Sequence, residues 1–107
     1  MYEYDIMVSM RFLSEEKGGR RKLPPIKNKE YTYRPLFKIE NEKIGYCCGV
    51  VIGEYINNYS FDTDLMDIKI IFLQFSEVKN KLSVGKHFSL YEGNEMIGTG
   101  CILKIRD

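Results

Sequence analysis

Alternation of apolar and polar side chains near the start of the chain is the feature that most constrains its fold. The even positions of 2–12 carry tyrosine, isoleucine, valine, methionine and phenylalanine, whereas most odd positions are charged or polar. Because successive side chains of a strand point to opposite faces, this pattern predicts a strand with one buried face. No segment shows persuasive helical spacing of its apolar residues, so the sequence indicates an all-β protein.

Weaker versions of the same pattern recur between clusters of turn-forming residues. They predict further strands over 31–39, 44–54, 66–75, 84–91 and 95–105. Pro35 confines part of the second strand to a sheet edge or a bulge, because proline has no N–H to donate to a neighbouring strand. Residues 92–94, Glu-Gly-Asn, close a hairpin between the last two strands. Several short strands at this spacing predict a β-sandwich or a closed β-barrel.

Length and charge narrow the classes of protein that the chain can belong to. Its 107 residues correspond to a single domain over 1–107, and 44% of them are hydrophobic, as in soluble globular proteins. Sixteen basic against fifteen acidic side chains leave a net charge of +1, which predicts no general attraction to polyanions. The sequence has no apolar run of membrane-spanning length and no basic N-terminal leader, so we expect a cytoplasmic protein that does not enter membranes.

Residue types that usually carry catalysis are sparse. The single histidine, His87, alternates with Phe88 in a predicted strand and is expected to face solvent. No histidine and cysteine spacing supports a metal site, and no phosphate-binding glycine loop occurs. The pattern Gly-Thr-Gly at 98–100 lies inside a strand, where it indicates a bulge or a close backbone approach. We therefore expect no enzyme activity, no cofactor, no metal and no nucleotide.

The three cysteines cannot all pair with one another. Cys47 and Cys48 are adjacent, so within a strand their side chains would point to opposite faces, and Cys101 lies far away in the chain. We predict that all three are reduced thiols packed against apolar neighbours.

A basic loop after the first strand is the strongest local charge feature. It contains Lys17, Gly18, Gly19, Arg20, Arg21 and Lys22, with Lys27 and Lys29 further along. This positive patch could meet phosphates or an acidic protein surface. The competing interpretation is a solvated loop, since Glu15 and Glu16 offset part of the charge.

Several short motifs, taken in their order along the chain, indicate a protein family more specifically than any one motif does. Phe-Leu-Ser-Glu-Glu-Lys-Gly-Gly-Arg at 12–20 is followed by Pro-Ile at 25–26, Tyr-Arg-Pro-Leu-Phe at 33–37, Gly-Lys-His-Phe at 85–88, Tyr-Glu-Gly at 91–93 and Ile-Gly-Thr-Gly at 97–100. In this order they resemble the C-terminal domain of elongation factor Tu, and the similarity covers residues 6–105. The resemblance implies a six-stranded antiparallel closed β-barrel.

The same resemblance bears on function. In that family the nucleotide chemistry belongs to a separate GTPase domain, while the third domain helps to hold the T-stem of aminoacyl-tRNA. The glutamine and arginine of the family's strand and hairpin motifs correspond to Leu36 and Tyr91 here, whereas Glu92 is retained. Both replacements remove polar contacts that RNA recognition uses. The candidate binding residues are therefore the basic loop together with Arg34, Tyr91 and Glu92.

The favoured hypothesis is a non-catalytic binding module that docks a protein partner or a second copy of itself, in a role related to translation. One alternative is an RNA-binding module for tRNA. Another is a subunit that completes a separate GTPase chain. An enzyme using His87 or one of Cys47, Cys48 and Cys101, as a hydrolase or a thiol-dependent activity, is the least favoured interpretation.

Overall fold

The computed structural model describes residues 4–19, 23, 32–52 and 60–106. Its strands are β1 (Ile6–Phe12), β2 (Thr32–Tyr33), β3 (Leu36–Ile39), β4 (Gly45–Val51), β5 (Leu65–Phe72), β6 (His87–Glu92) and β7 (Glu95–Ile105). A four-residue helix, α1 (Phe75–Val78), and two 3₁₀ turns (Glu15–Lys17 and Lys79–Lys81) complete the described elements. None of the described helices is long and apolar enough to cross a membrane.

The strands form a closed six-stranded antiparallel β-barrel. Strands β2 and β3 pair with opposite halves of β4, so they are two parts of one long strand interrupted at Arg34 and Pro35. The ring runs β3–β4–β5–β1–β7–β6 and closes through the pairing of β6 with β3. This architecture confirms the all-β barrel expected from the sequence, and Pro35 accounts for the strand break.

Alternation of side chains places one face of every strand inside the barrel. In β1, Ile6, Val8, Met10 and Phe12 are at most 1% exposed, as the period-two pattern predicted. At the centre of the core, the Phe37 ring stacks on Phe88 with centroids 4.5 Å apart and meets Phe72 edge-on at 4.9 Å. The outward faces of the same strands are therefore the surfaces available for binding.

One buried carboxylate ties together the two ends of the chain. Asp5 accepts a hydrogen bond from the backbone N–H of Phe72 at 2.8 Å, and its other oxygen accepts one from Arg106 Nη2 at 2.8 Å. The backbone N–H of Arg106 also donates to the Asp5 carbonyl oxygen at 2.8 Å. The start of β1 is thereby fastened to the ends of β5 and β7.

Two predicted strands are shorter than expected. The strand predicted over 66–75 ends at Phe72, because the chain then turns into α1, where Val78 is buried and Phe75 stacks on Phe72. A single helical turn is too short for periodicity to reveal it. The strand predicted from residue 84 begins at His87, because Gly85 adopts a positive φ of 90° in the preceding turn.

The Gly-Thr-Gly pattern at 98–100 marks a close approach of backbones, as the sequence predicted. A Cβ atom on Gly100 would lie 2.3 Å from the carbonyl oxygen of Ser9 and 2.6 Å from Cζ of Phe88. The register shift between β6 and β7 falls between Leu90 and Tyr91. The glycine therefore makes room for the Phe88 ring in the core, which is a structural role.

Candidate functional site

The described part of the basic loop is held by its own backbone. Gly18 has a φ of 88°, and Gly19 donates its N–H to the Ser14 carbonyl oxygen at 2.9 Å. A Cβ atom on Gly19 would lie 1.9 Å from the Leu13 carbonyl oxygen. Both glycines are therefore required by the shape of the loop. The predicted binding residues Arg20, Arg21 and Lys22, with Lys27 and Lys29, lie outside the described residues.

The charge of Lys17 is partly balanced within the protein. Its ammonium lies 3.7 Å from Oδ1 of Asp62, and the same oxygen accepts a hydrogen bond from the Ser14 N–H at 3.2 Å. Hydrogen bonding to Ser14 lowers the pKa of the Asp62 carboxyl, and the positive charges of Lys17 and Arg11 act in the same direction. Lys17 therefore has an acidic neighbour instead of facing solvent alone.

Tyr91 and Glu92, at the end of β6, are also engaged by neighbours. The ammonium of Lys38 lies 4.3 Å from the centroid of the Tyr91 ring. The hydroxyl of Tyr33 donates a hydrogen bond to the Glu92 carboxylate. These contacts connect the hairpin to the strand formed by β2 and β3, across the place where the barrel closes.

A groove of about 610 Å³, here called the polar groove, crosses the outer wall of β3, β6, β7 and β1. Cross-strand pairing places Lys38, Ser89, Thr99 and Arg11 in one row along it. Acidic side chains lie beside the two basic side chains of this row, and Arg11 donates a hydrogen bond to Asp64 at 2.8 Å. The mixture of opposite charges gives the groove no strong preference for anions.

His87 and Cys101 lie directly opposite each other in the polar groove, on β6 and β7. The nearest acceptor found for the Cys101 thiol is the Ile102 carbonyl oxygen, 3.9 Å from Sγ. Among the described residues, no hydrogen bond joins this thiol to the His87 imidazole, and no three histidine, cysteine or acidic side chains are grouped to hold a metal. The pair thus lacks the base contact that activates a nucleophilic thiol.

A second groove, here called the apolar groove, lies on the outer wall of β2, β3, β4 and β5 and has a volume of about 580 Å³. Its apolar lining includes Leu36, Cys47, Ile71 and Leu73. Leu73, directly after β5, is 77% exposed and adds to the apolar surface of the groove. This groove is more apolar in its lining than the polar groove.

The apolar surface continues beyond the apolar groove into a neighbouring depression. Ile44, 57% exposed, lines an adjoining depression of about 270 Å³ together with Tyr46 and Leu73. The Tyr46 hydroxyl accepts a hydrogen bond from the Lys81 ammonium at 2.8 Å, and this bond raises the pKa of Lys81. Tyr46 is thereby fixed beside the exposed aliphatic side chains.

Two of the predicted binding residues line neighbouring grooves. Arg34 lines the apolar groove and Tyr91 lines the polar groove, and Leu36, two residues after Arg34, pairs with Tyr91 between β3 and β6. Motif reasoning missed the exposed apolar residues of the apolar groove. The available signal was the run Ile-Ile-Phe-Leu at 70–73, in which consecutive apolar residues leave Ile71 on the outward face of β5 and Leu73 directly after the strand.

The cysteines differ in environment. Cys48 is buried, and its burial raises the pKa of the thiol to about 12, whereas Cys47 is exposed in the apolar groove. The prediction that the two point to opposite faces is confirmed. The prediction that all three thiols are packed is wrong for Cys47, because its strand position faces outward, and Cys101 is half-buried.

We expect iodoacetamide at pH 8 to alkylate Cys47 in the folded protein and to leave Cys48 unmodified, because alkylation requires an accessible thiolate. Peptide mass spectrometry over a time course measures the modification of each thiol. The matched control is the same reaction in urea, in which all cysteines should react. Alkylation of Cys48 at the rate of Cys47 in the folded protein would contradict the burial described here.

No protein-family model matches this sequence, and no curated protein matches it significantly. The closed six-stranded barrel is compatible with the domain that the motif order resembles, and the likeness to elongation factor Tu depends on those motifs. Any function must therefore be argued from the surfaces of this chain.

Proposed function

We propose that this protein is a non-catalytic docking module that binds a protein partner through the apolar groove. The supporting observation is that Leu73, 77% exposed, lines both the apolar groove and the adjoining depression, where Ile44 is 57% exposed. The proposal includes the cytoplasmic, translation-related role expected from the sequence. It also includes the finer likeness to the elongation factor Tu C-terminal domain, in which the barrel would act as a stand-alone copy.

Burial of this surface would provide the driving force. Complete removal of one leucine or isoleucine side chain from water contributes roughly 1.5–3 kcal/mol. The outer wall of a barrel strand normally carries polar residues, whereas here Leu36, Ile71 and Leu73 line one groove with Cys47. Apolar surface of this kind, bordered by polar residues, is typical of protein interaction sites.

The apolar groove favours a protein partner over RNA. RNA affinity depends on cations that neutralise phosphates, yet Lys17 lies beside Asp62 and Arg11 pairs with Asp64. Leu36, which takes the place of the family's glutamine, lines the apolar groove and offers no hydrogen bond. A separate GTPase chain is one protein that could fill this role, and the test below would identify it.

Photo-cross-linking tests the proposal directly. A photoreactive phenylalanine analogue at Leu73 should form cross-links to one recurrent protein, identified together with the linked peptide by mass spectrometry. Leu103, 36% exposed on β7, lines neither groove and provides the matched control position. We expect the cross-link at Leu73 alone, and we expect Leu36→Asp in the same chain to abolish it.

Three results would overturn the proposal. They are equal cross-linking from Leu73 and Leu103, no protein cross-link from Leu73, and a cross-link from Leu73 to RNA. A linked peptide from this same chain would identify self-association, which sedimentation of the purified protein at two concentrations would verify.

A further inference from the structure

We propose that Arg34 binds a carboxylate of the docked partner, and that the partner is an extended acidic segment with an apolar side chain two residues from its aspartate or glutamate. This inference rests on the docking function proposed above and specifies the partner's chemistry. It depends on the position of one guanidinium at the edge of the apolar groove.

Arg34 differs from the other arginines that the structure describes. Arg11 donates to Asp64 at 2.8 Å, and Arg106 donates to Asp5 at 2.8 Å. Arg34 is exposed, and no described carboxylate lies within ion-pair distance of it. A guanidinium offers several donors in a planar fork that matches a carboxylate, so the partner can supply the acceptor that the described residues do not.

A glycine in the neighbouring strand lies beside Arg34. A Cβ atom on Gly49 would lie 2.6 Å from Cγ2 of Thr32 and 3.8 Å from Nη1 of Arg34. The absence of that atom allows Thr32 to approach the β4 backbone, with the exposed Arg34 guanidinium next to it at the edge of the groove. The cation is therefore presented beside apolar surface.

The charge of the groove favours an acidic ligand. Among the described residues that line it, Arg34 is the only charged one, and the remainder are apolar or small and neutral. A carboxylate bound here would meet no competing acidic side chain from the lining. Because Arg34 is exposed, salt should screen the attraction between the two charges.

Strand geometry gives the spacing between the Arg34 guanidinium and the apolar part of the site. Across the strands, Arg34, Gly49 and Ile71 are neighbours and form one row, in which Gly49 pairs with Ile71. Leu36, Cys47 and Leu73 form a second row, in which the Cys47 carbonyl oxygen accepts a hydrogen bond from the Leu73 N–H. These rows are two residues apart along the strands, which corresponds to roughly 6.6 Å. Residues i and i+2 of an extended segment point to the same side at this spacing, so one can meet Arg34 and the other Leu36, which lies two residues further along the chain and also lines the groove.

A pair of peptides tests the inference. We would titrate the ¹⁵N-labelled protein with acetyl-Ser-Glu-Ser-Leu-Ser-amide and with the same peptide carrying glutamine in place of glutamate, and follow amide chemical shifts. We expect the glutamate peptide to bind about fivefold more tightly, with shifts in β3 and β4, because a charge-assisted hydrogen bond is stronger than a neutral one. Higher salt should reduce this preference.

Arg34→Gln should remove the preference for glutamate and retain binding of both peptides through the leucine. Lys43→Gln is the matched control, because it removes one positive charge at an exposed residue outside the groove lining and should leave the preference intact. Equal affinity of the two peptides for the unmodified protein, no binding at millimolar concentration, or an unchanged preference in Arg34→Gln would overturn the inference.

The two proposals fail in distinguishable ways. If Leu73 cross-links to a protein and the peptides show no dependence on Arg34, docking stands and the acidic partner is wrong. If neither the cross-link at Leu73 nor peptide binding is observed, the docking function itself is wrong.

Discussion

Replacement of Phe37 by alanine is expected to lower the free energy of unfolding by about 4 kcal/mol, the upper part of the range for truncation of a buried phenylalanine. The side chain is fully buried and contacts two rings, Phe88 at 4.5 Å and Phe72 at 4.9 Å between centroids. These rings belong to β3, β6 and β5, so the loss would weaken the core on several sides of the barrel. Urea unfolding followed by circular dichroism measures the change.

The matched control is Phe37→Leu, which keeps most of the buried apolar volume. It should cost about 1.5 kcal/mol, because an aliphatic side chain refills much of the space but loses the aromatic contacts. A loss below about 1.5 kcal/mol for the alanine variant would show that the core does not depend on this aromatic cluster. A similar loss for both variants would also contradict the structure.

Replacement of Asp5 by alanine is expected to destabilise the protein by about 3 kcal/mol, because it leaves a buried backbone donor without a partner and frees a cation. The carboxylate accepts hydrogen bonds from the Phe72 N–H and from Arg106, and its side chain is only 10% exposed. Hydrogen exchange should show the largest loss of protection at the ends of β5 and β7. Thermal unfolding gives the accompanying change in stability.

The exposed ion pair of Arg11 with Asp64 provides the control. Its side chains are 41% and 60% exposed, so Asp64→Ala should cost no more than about 0.5 kcal/mol. Asp5→Asn keeps one acceptor oxygen and should cost less than Asp5→Ala. Equal effects of Asp5→Ala and Asp64→Ala would contradict the role of Asp5 in joining the two ends of the chain.

The stability predictions and the docking proposal concern different faces of the same strands. Inward side chains such as Phe37 hold the barrel together, and the neighbouring outward position, Leu36, lines the apolar groove. Leu36→Asp should therefore impair docking without the large loss of stability expected for Phe37→Ala. A variant that loses cross-linking and keeps its unfolding midpoint would separate recognition from folding.

The local alternation of apolar and polar side chains, together with the turn residues, predicted much of the architecture. The alternation in 6–12 identified the buried face of β1, and the turn residues after Glu92 identified the β6–β7 hairpin. The close approach at Gly100 was also predicted, although its partners, Ser9 and Phe88, were not. The short helix α1 was missed, because four residues hold only one buried position, Val78.

The candidate site could be predicted only in part. Arg34 was singled out from a motif, but its groove was not, because the wall around it is assembled from β2, β3, β4 and β5. Tyr91 and Arg34 were both candidate binding residues, and the barrel places them in neighbouring grooves that meet at β3. The basic loop was interpreted as a positive patch or as a solvated loop, and of its cations the structure describes only Lys17, which lies beside Asp62.

By itself, the sequence determined which side chains of β1 point inward, where the β6–β7 hairpin turns, and that the fold is all-β. These properties depend on local periodicity and on backbone preferences of single residues. Tertiary structure alone decided which outward side chains become neighbours, including Arg34 over Gly49 and Leu73 beside Cys47. A period of two specifies the face of a strand and carries no information about its neighbours around the barrel, since those are set by pairing between distant segments.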